Sequence, residues 1–591
     1  MGVYLAQAIV YAYTTISNLD EGAYLLKGFL FATDQYQPFD PGISTNKAPL
    51  AFLIPGYVQL LFGPGLRTGR LLAVFFGLMA VVGTWLAARR LGGRWLAVGA
   101  VLGIASGSAI IKIYSMGVTQ STIACLLAWS LALVLGEKRP VWQLILSGVL
   151  AGLMILVRQN MLPVLPLLIV YAFWQHGRRA FWLFVPGVMV VAYSFYIYWP
   201  HILQLWTWVP LVKIPSEVLY GGGGVSIWNP EISVMSRWLS IFQAVRFHFI
   251  ALFGSIVAFL FWVRPSRWRS IVEFRIGAAL FALFWGLFYM HFVAAIALDY
   301  CVFCFKNYIA FFNVAGILLL VVSVGSWNWR IPVFTQVFLV ALSLIVFSGI
   351  GYSAFEDIGS FALGLPAPRM RDMRILPGLI TWWDILSQRF DLDVNSAKKY
   401  AAALFGLFAG GLFICLMYIG WQRTGRHVFN SINFGAFYAS SLLIAAILFS
   451  PILGGSYGKP DCRSNVILAN EQIGEHLSSI IPLGSVVYWN GGLSTVPLLY
   501  LPGVKIFPAQ INNGYSFISG GDSHELYRFG YWNEEMDAEW RTTADFFIIE
   551  EWRYPEWKQF LSPAEFDEYA RTPVGTSCLE ETRLRIFKRK E

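Results

Sequence analysis

The densest group of side chains that could do chemistry lies between residues 17 and 70. It opens with the adjacent carboxylates Asp20 and Glu21, and it also contains Lys47 and Arg70. Carboxylates act as general bases or bind hard cations. Lysine and arginine bind phosphates, because both are cations with strong hydrogen-bond donors. The alternative without a chemical function is that Asp20 caps a helix and the other charged side chains are solvated.

The composition shows which elements must position these groups. Of the 591 residues, 57% are hydrophobic and 13% are charged. A soluble domain has about 25% charged residues, so this chain has too few to cover a water-soluble body of its size. A cytosolic enzyme, a disordered protein and a fibre are therefore excluded. The net charge of +9 does not indicate nucleic-acid binding, because the basic residues of membrane proteins collect in cytoplasmic loops.

About thirteen apolar stretches could span a membrane, whose core needs about 20 apolar residues of helix. They lie near residues 1–16, 69–88, 95–113, 118–136, 141–157, 160–175, 180–199, 240–263, 275–298, 307–326, 331–350, 400–421 and 432–451. If the N-terminus is cytoplasmic, every short connection on that side is basic, as the positive-inside rule requires. The pattern predicts an α-helical multi-pass protein of the plasma membrane, with its first loop, 17–70, and its C-terminal region outside.

The composition changes near Gly454. Over residues 454–591, strand-like runs alternate with helical patterns, which predicts a small extracytoplasmic α/β domain after a transmembrane domain of residues 1–453. Cys462 and Cys578 lie near the two ends of this domain. They are either a disulfide or two free thiols, because the sequence does not give the distance between them.

Three further patterns are less specific. Residues 221–224 are four consecutive glycines, which suit a linker, a structural turn or a lid over a substrate. Cys301 and Cys304 form a Cys-x-x-Cys motif that suits packed thiols or a local disulfide better than half of a zinc site. Residues 376–389 predict an amphipathic helix on the outer leaflet.

Several short motifs follow one another along the chain, each occurring once. Asp20-Glu21 follows the first span, Lys47-Ala-Pro-Leu comes 26 residues after Glu21, and Arg70-Leu-Leu-Ala-Val-Phe-Phe-Gly-Leu opens the second span. Arg158-Gln-Asn follows the fifth span, and Ile481-Pro-Leu-Gly-Ser-Val-Val lies in the tail. Together they resemble the GT-C glycosyltransferases of the dolichyl-phosphate-mannose protein mannosyltransferase type, a group that includes the aminoarabinose transferase of lipid A.

The resemblance implies a GT-C fold and a reaction. Members move a sugar from a polyprenyl-phosphate carrier to an acceptor on the outer face, usually with inversion. Asp20 would be the base that takes the proton of the acceptor hydroxyl, with Glu21 as a supporting or metal-facing group. Lys47 would lie near the carrier phosphate.

Other residues follow from the resemblance with less support. Arg70 and Arg158 would bind the same phosphate or hold the loop. Lys306 and Tyr308 are assigned to the carrier head group by resemblance alone. The expected partners are a polyprenyl-phosphate sugar, an envelope acceptor and the lipid bilayer.

The chain also departs from the family pattern. Gln120 stands where many members have an acid, and Asn46 precedes the lysine where some relatives have a metal-binding acid. Glutamine can hydrogen-bond a sugar but cannot ionise. Both departures disfavour a bound divalent cation, and no cofactor is predicted. They leave open a non-catalytic scaffold or a subunit of an envelope complex, and many spans with buried charges also suit a transporter of lipid-linked sugars.

Overall fold

The computed structural model describes residues 1–206, 225–226, 232–262, 268, 270–298, 301–326, 333–371, 374–376, 378–390, 393–425, 440–448, 458–508 and 516–590. The helices of the membrane region are α1 (Gly2–Thr14), α2 (Leu19–Ala32), α3 (Leu50–Phe62), α4 (Leu66–Ala105), α5 (Ser108–Tyr114), α6 (Thr119–Val134), α7 (Val141–Val157), α8 (Val164–His176), α9 (Phe181–Tyr198), α10 (Val234–Phe247), α11 (Phe249–Trp262), α12 (Ile271–Phe292), α13 (Phe305–Ile309), α14 (Asn313–Ser326), α15 (Val333–Ser353), α16 (Ser360–Gly364), α17 (Trp382–Phe390) and α18 (Val394–Gly425). The tail contains α19 (Val466–Ile480), α20 (Ser523–Arg528), α21 (Glu534–Thr543) and α22 (Tyr554–Trp557). The strands are β1 (Val225–Ser226), β2 (Arg369–Arg371), β3 (Arg374–Leu376), β4 (Val486–Asn490), β5 (Lys505–Phe507), β6 (Ile518–Ser519), β7 (Phe546–Glu550), β8 (Phe566–Arg571) and β9 (Leu584–Arg589).

Length and apolar composition identify five described helices that could cross a membrane, or eight if each of three bent helix pairs is one span. The predicted thirteen differ from this number because two candidates of 40 residues each contain two predicted spans. A helix of 40 residues is about 60 Å long, twice the thickness of the hydrocarbon core. The first breaks at Gly93, where φ is 82°, and the second at Gly177, where φ is 58°.

The rest of the difference has two sources. Helices α1 and α7, with 13 and 17 residues, coincide with predicted spans but are short. Most of the last predicted span, 432–451, lies outside the described residues. The glycine run at 221–224 and the predicted domain boundary at residue 454 lie outside them as well. The fold class predicted from the sequence, a polytopic helical membrane protein with a small C-terminal α/β region, is confirmed.

The tail folds around a five-stranded sheet in the order β5-β4-β7-β9-β8. Strands β5, β4 and β7 are parallel, whereas β9 and β8 pair antiparallel. Cys462 and Cys578 form a disulfide. Of the two predicted alternatives, a disulfide and two free thiols, the first is therefore the one observed. Cys301 and Cys304 are also disulfide-bonded, so this motif is not half of a zinc site. The predicted amphipathic helix at 376–389 corresponds to α17, which starts six residues later.

One face of this sheet packs against helix α2. Leu25 and Leu26 of α2 share a buried apolar core with Val487 of β4 and Ile548 of β7. This core is separate from the large core between the membrane helices. The tail is therefore continuous with the segment that carries Asp20, and the two must be considered as one site-forming unit.

Candidate active site

Helix α2 presents the first candidate residues on different faces. Asn18 caps the helix, with its side-chain oxygen accepting the backbone N–H of Glu21 at 2.9 Å. Asp20 and Glu21 lie in the first turn, where the helix dipole stabilises negative charge. Asp20 is exposed, whereas Glu21 is fully buried. The two adjacent carboxylates therefore have different environments and cannot share one role.

Glu21 makes a buried ion pair with Arg70. Its two carboxylate oxygens accept hydrogen bonds from Nε and Nη2 of Arg70 at 3.0 and 2.8 Å. One of these oxygens also accepts the N–H of Gly117 at 2.7 Å, and Arg70 Nη1 donates to the carbonyl of Ala12 at 2.7 Å. Both side chains are inaccessible to solvent. Of the two roles predicted for Arg70, this geometry matches holding the loop, and Arg70 and Gly117 are the hydrogen-bond partners of the Glu21 carboxylate.

Lys47 lies among charges on two other segments, helix α2 and the residue after α7. Burial and then the charge of Arg158 lower the pKa of Lys47 to about 8, while the charge of Asp20 opposes the shift. Burial and then the charge of Lys47 lower the pKa of Lys27 to about 7, again against Asp20. The structure thus brings the predicted residues Asp20, Lys47 and Arg158 together. It adds Lys27, which sequence reasoning missed.

Lys27 connects α2 to the loop that carries Lys47. Its side chain is buried, and its Nζ donates to the carbonyl of Ser44 at 3.1 Å. Asp20, Tyr24 and Lys27 are spaced i, i+4 and i+7, so they lie on one face of the helix. This spacing could have predicted that Tyr24 and Lys27 lie beside Asp20. It is hard to recognise, because most other residues of the helix are apolar.

Arg158 follows directly after α7 and is buried. Its Nη1 donates to Thr119 Oγ1 at 3.1 Å and to the Tyr24 hydroxyl at 3.4 Å. Its guanidinium lies 4.5 Å from the ring centroid of Phe311 and 5.9 Å from that of Tyr308. Thr119 and Tyr24 therefore hold Arg158 in place, while its Nε has no hydrogen-bond partner among the described residues.

Gln120 follows Thr119, the residue to which Arg158 donates a hydrogen bond. Gln120 is buried next to Thr119 at the start of α6, and its side-chain oxygen accepts no hydrogen bond within the described ranges. Beside Thr119 lies a small, mostly apolar groove between α3, α4 and α6. The cationic cluster of Lys27, Lys47 and Arg158 therefore adjoins a groove with apolar walls.

Lys306 does not join this cluster, although it is two residues from Tyr308. It is buried, and its Nζ donates to Gln243 at 2.9 Å. It lies beside Arg246, since both cations are within 6 Å of the Phe247 ring centroid. Helix α13 therefore contributes Tyr308 to the first cluster and Lys306 to a different one.

The part of the chain that the structure describes has no group of three or more His, Cys, Asp or Glu side chains that could hold a metal ion. The absence of a divalent cation stays a prediction.

The tail holds the start of α2 from the other side. Ser17 and Ser494 hydrogen-bond through their hydroxyls at 2.7 Å, and Asp461 accepts the N–H of Ile16 at 3.0 Å. The backbone of Thr495 lies against Gly22, where an added Cβ would be 2.6 Å from its nitrogen. The tail thus contacts the residues on both sides of Asp20.

We expect Gly22→Ala to loosen this contact. The added methyl group has no room between α2 and Thr495, and overpacking typically costs about 1–3 kcal/mol. Gly286→Ala is the matched control, since Gly286 is also helical but has nothing within 4 Å of its Cβ position. The measurement is the thermal unfolding midpoint of the purified protein. If both variants unfold at the wild-type temperature, the tail does not clamp α2.

The family comparison covers part of this site. Residues 46–204 match the family described as dolichyl-phosphate-mannose-protein mannosyltransferase. The matched region contains Lys47, Arg70, Gln120 and Arg158. No curated protein matches the chain significantly.

Three solved structures are similar to the chain at low identity. ArnT from Cupriavidus metallidurans bound to undecaprenyl phosphate is 14% identical, with a TM-score of 0.45 over 99% of this chain and 96% of that chain. The same protein in the apo state is 15% identical, with a TM-score of 0.46 over 99% and 97%. The oligosaccharyltransferase AglB from Archaeoglobus fulgidus, in complex with an inhibitory peptide and a dolichol-phosphate, is 11% identical, with a TM-score of 0.38 over 95% and 70%.

Residues 46–204 therefore match the family that the motifs resemble, which confirms the predicted resemblance.

Proposed function

We propose that the chain transfers a sugar from a polyprenyl-phosphate carrier to an envelope acceptor on the extracytoplasmic face, with inversion. One observation carries the proposal: an exposed carboxylate, Asp20, lies within electrostatic reach of the cationic cluster that contains Lys27 and Lys47. An inverting transfer needs one base and a way to stabilise a phosphate leaving group. The relatives bound to undecaprenyl phosphate and dolichol-phosphate agree with this donor class.

The reaction is a single displacement. The acceptor oxygen attacks the anomeric carbon while Asp20 takes its proton, and the bond between that carbon and the phosphate oxygen breaks. The electron pair of this bond leaves with the phosphate, so the carrier gains one negative charge. Lys47 and Arg158 stabilise this charge as it develops, which lowers the barrier. The groove beside Thr119 takes the first part of the apolar carrier chain.

Glu21 and Arg70 support the site without contacting the substrate in this proposal. Their ion pair links α1, α2, α4 and the start of α6 through Ala12 and Gly117. Gln120 is a candidate hydrogen-bond partner for the sugar, since its side-chain oxygen is unused among the described residues. Lys306 is not part of the carrier site.

The orientation of the chain is part of the proposal. The short basic connections predict a cytoplasmic N-terminus, which places α2 and the tail on the same outer side. Their shared core supports this arrangement, because two segments that pack together must lie on one side of the membrane.

The affinity for the donor should fall as the pH rises. The pKa values of Lys27 and Lys47 are lowered to about 7 and about 8, so both lose charge at mildly alkaline pH. A bound anion favours the charged forms, and each lysine that must be protonated weakens binding by roughly tenfold per pH unit above its pKa. The donor is a phosphodiester with constant charge over this range. Binding of a polyprenyl-phosphate sugar should thus be strongest below about pH 7.

This experiment compares the wild type with Lys47→Gln and with Lys112→Gln. Lys112 is a partly buried cation that pairs with Asp461 at 2.6 Å and is not among the charges that shift the pKa of Lys27 or Lys47. The Lys47→Gln protein should bind the donor more weakly and with a flatter pH profile, while Lys112→Gln should match the wild type. An unchanged profile in the Lys47→Gln protein would remove Lys47 as the phosphate ligand.

A further inference from the structure

The segment after α7 places two amide side chains directly behind Arg158. Gln159 and Asn160 belong to a single 3₁₀ turn that ends at Met161. Both residues are partly buried, and the side-chain carbonyl oxygen of each is buried and accepts no hydrogen bond from a described residue. A buried acceptor without a donor costs about 1–3 kcal/mol, so a native structure needs a reason to keep one. The mechanism proposed above uses neither side chain.

His291 fixes the orientation of the Asn160 amide. The ring Nδ1 of His291 lies 2.7 Å from the backbone carbonyl of Leu287, four residues earlier in α12, so this nitrogen carries the proton. Nε2 is then the acceptor of the neutral ring, and Asn160 Nδ2 donates to it at 2.9 Å. The Oδ1 atom of Asn160 is therefore on the opposite side of the amide from His291, where it has no partner among the described residues.

Two aromatic side chains connect this amide to the cationic cluster. The His291 ring centroid lies 5.3 Å from that of Tyr308 and 6.2 Å from that of Phe311. The Arg158 guanidinium lies against the same two rings, at 5.9 and 4.5 Å from their centroids. Asn160 and its partner His291 thus belong to the shell of residues around Arg158, which the proposed mechanism assigns to the carrier phosphate. The transferred sugar is attached to that phosphate, so a group in this shell is placed to contact it.

The free atoms of this shell determine which ligand groups can pair with them. An amide carbonyl oxygen only accepts hydrogen bonds, so it pairs with a hydroxyl group but not with a carboxylate or phosphate oxygen. An ammonium group could also donate to it, but the positive charges of Arg158 and Lys47 disfavour another cation nearby. Arg158 Nε is a buried donor without a hydrogen-bond partner among the described residues. Sugar hydroxyl groups both donate and accept hydrogen bonds, so they can satisfy the free acceptor and the free donor alike.

We propose that Asn160 is a specificity-determining residue for the transferred sugar, that its Oδ1 accepts a hydrogen bond from a sugar hydroxyl, and that His291 is its positioning residue. This assignment rests on the proposed function, because it concerns the sugar of the same donor. The selected sugar is neutral and has free hydroxyl groups, whereas a sugar with a carboxylate or an ammonium group is disfavoured. A site built to bind a hydroxyl rejects ligands that lack it, since its own buried polar group is then left unpaired.

The test measures binding of lipid-linked donors to the purified full-length protein by native mass spectrometry. The sugar-free probe is undecaprenyl methyl phosphate, which has the charge of the phosphodiester but no sugar. The other probes are undecaprenyl phosphate linked to a neutral sugar (mannose, glucose, galactose or arabinose), to glucuronic acid, or to 4-amino-4-deoxyarabinose. The ratio of the dissociation constants of the sugar-free and the sugar-linked probe gives the contribution of the sugar. Binding of the sugar-free probe also reports whether a variant is folded.

Three substitutions separate the selecting role from a structural one. Asn160→Leu removes the acceptor at nearly constant volume. His291→Phe removes the nitrogen that orients the amide, whereas His291→Gln keeps an acceptor there. Gln175→Leu is the matched control, because Gln175 is also a partly buried amide but pairs with Arg275 at the far end of α8.

We expect at least one neutral sugar to add more affinity in the wild type than glucuronic acid or the amino sugar. Asn160→Leu should lower the contribution of that neutral sugar by roughly two- to tenfold, the usual value of one hydrogen bond, and should leave binding of the sugar-free probe unchanged. His291→Phe should lower it in the same way, and His291→Gln should retain more of it. Gln175→Leu should match the wild type.

The opposite results distinguish this assignment from the proposed function. If the wild type binds the sugar-free probe but Asn160→Leu keeps the full sugar contribution, the role of Asn160 is wrong and the proposed function stands. The same conclusion follows if a charged sugar adds more affinity than every neutral one, a ranking that needs no substitution and holds even if a variant does not fold. If no undecaprenyl probe binds to the wild type, the proposed function fails and this assignment fails with it.

Discussion

Replacing Asp20 with asparagine should lower kcat for sugar transfer by about 10²–10⁴-fold, the usual contribution of a general base. The substitution is isosteric and the side chain is exposed, so the fold should not change. The affinity for the carrier should change little, because the cations Lys47 and Arg158 remain. The measurement is transfer of labelled sugar from a polyprenyl-phosphate donor by the purified protein.

Asp34→Asn provides the matched control for this experiment. Asp34 is an exposed carboxylate just after α2, and asparagine tolerates its positive φ of 56°. It should transfer sugar at the wild-type rate. Full activity of Asp20→Asn would remove Asp20 as the base. If the wild type transfers no sugar to any envelope acceptor, a non-catalytic scaffold becomes the better account of the chain.

Breaking the Glu21–Arg70 pair should have the largest effect on stability. Either Glu21→Gln or Arg70→Met leaves a buried, uncompensated or poorly satisfied partner, and removal of one member of a buried ion pair costs about 3–5 kcal/mol. The pair is fully buried and its side chains make four hydrogen bonds. Two join Arg70 to Glu21, one runs from Arg70 to the carbonyl of Ala12, and one runs from the N–H of Gly117 to Glu21. We expect a large decrease in the unfolding midpoint of both variants.

The Arg67–Glu471 pair is a close control. It is also bidentate, with distances of 2.8 and 2.7 Å, but Arg67 is 44% exposed. Exposed pairs contribute about 0–1 kcal/mol, so Arg67→Met should unfold near the wild-type temperature. The double variant Glu21→Gln with Arg70→Met should recover part of the loss, because no full charge is then left unpaired. Equal effects of Arg67→Met and Arg70→Met would show that burial of the inner pair is unimportant.

Much of the fold could be predicted because membrane helices are encoded by long apolar runs. The runs at 275–298 and 400–421 correspond to α12 and α18. The breaks inside the bent pairs could not be predicted in the same way. His248 and residues 310–312 lie between apolar segments, so the bend results from packing among helices distant in sequence rather than from local composition.

The order of the motifs was enough to predict that Asp20, Lys47 and Arg158 lie close together, while their roles stay predictions. The site was not predictable where tertiary contact decides the role. Arg70 is 49 positions from Glu21, and nothing local shows that the two neutralise each other.

Lys27 and Lys306 illustrate the same limit. Lys27 belongs to the cluster because the loop of Ser44 folds back over α2. Lys306 does not belong to the cluster, because the short helix α13 places its side chain beside Arg246.

The most direct measurement is a cryo-EM map of the protein with its polyprenyl-phosphate sugar bound. We predict density for the phosphate within hydrogen-bond distance of Lys47 Nζ, with the anomeric carbon facing the Asp20 carboxylate and the apolar chain in the groove beside Thr119. Phosphate density away from Lys47, with Asp20 pointing to solvent and no sugar near it, would contradict the account.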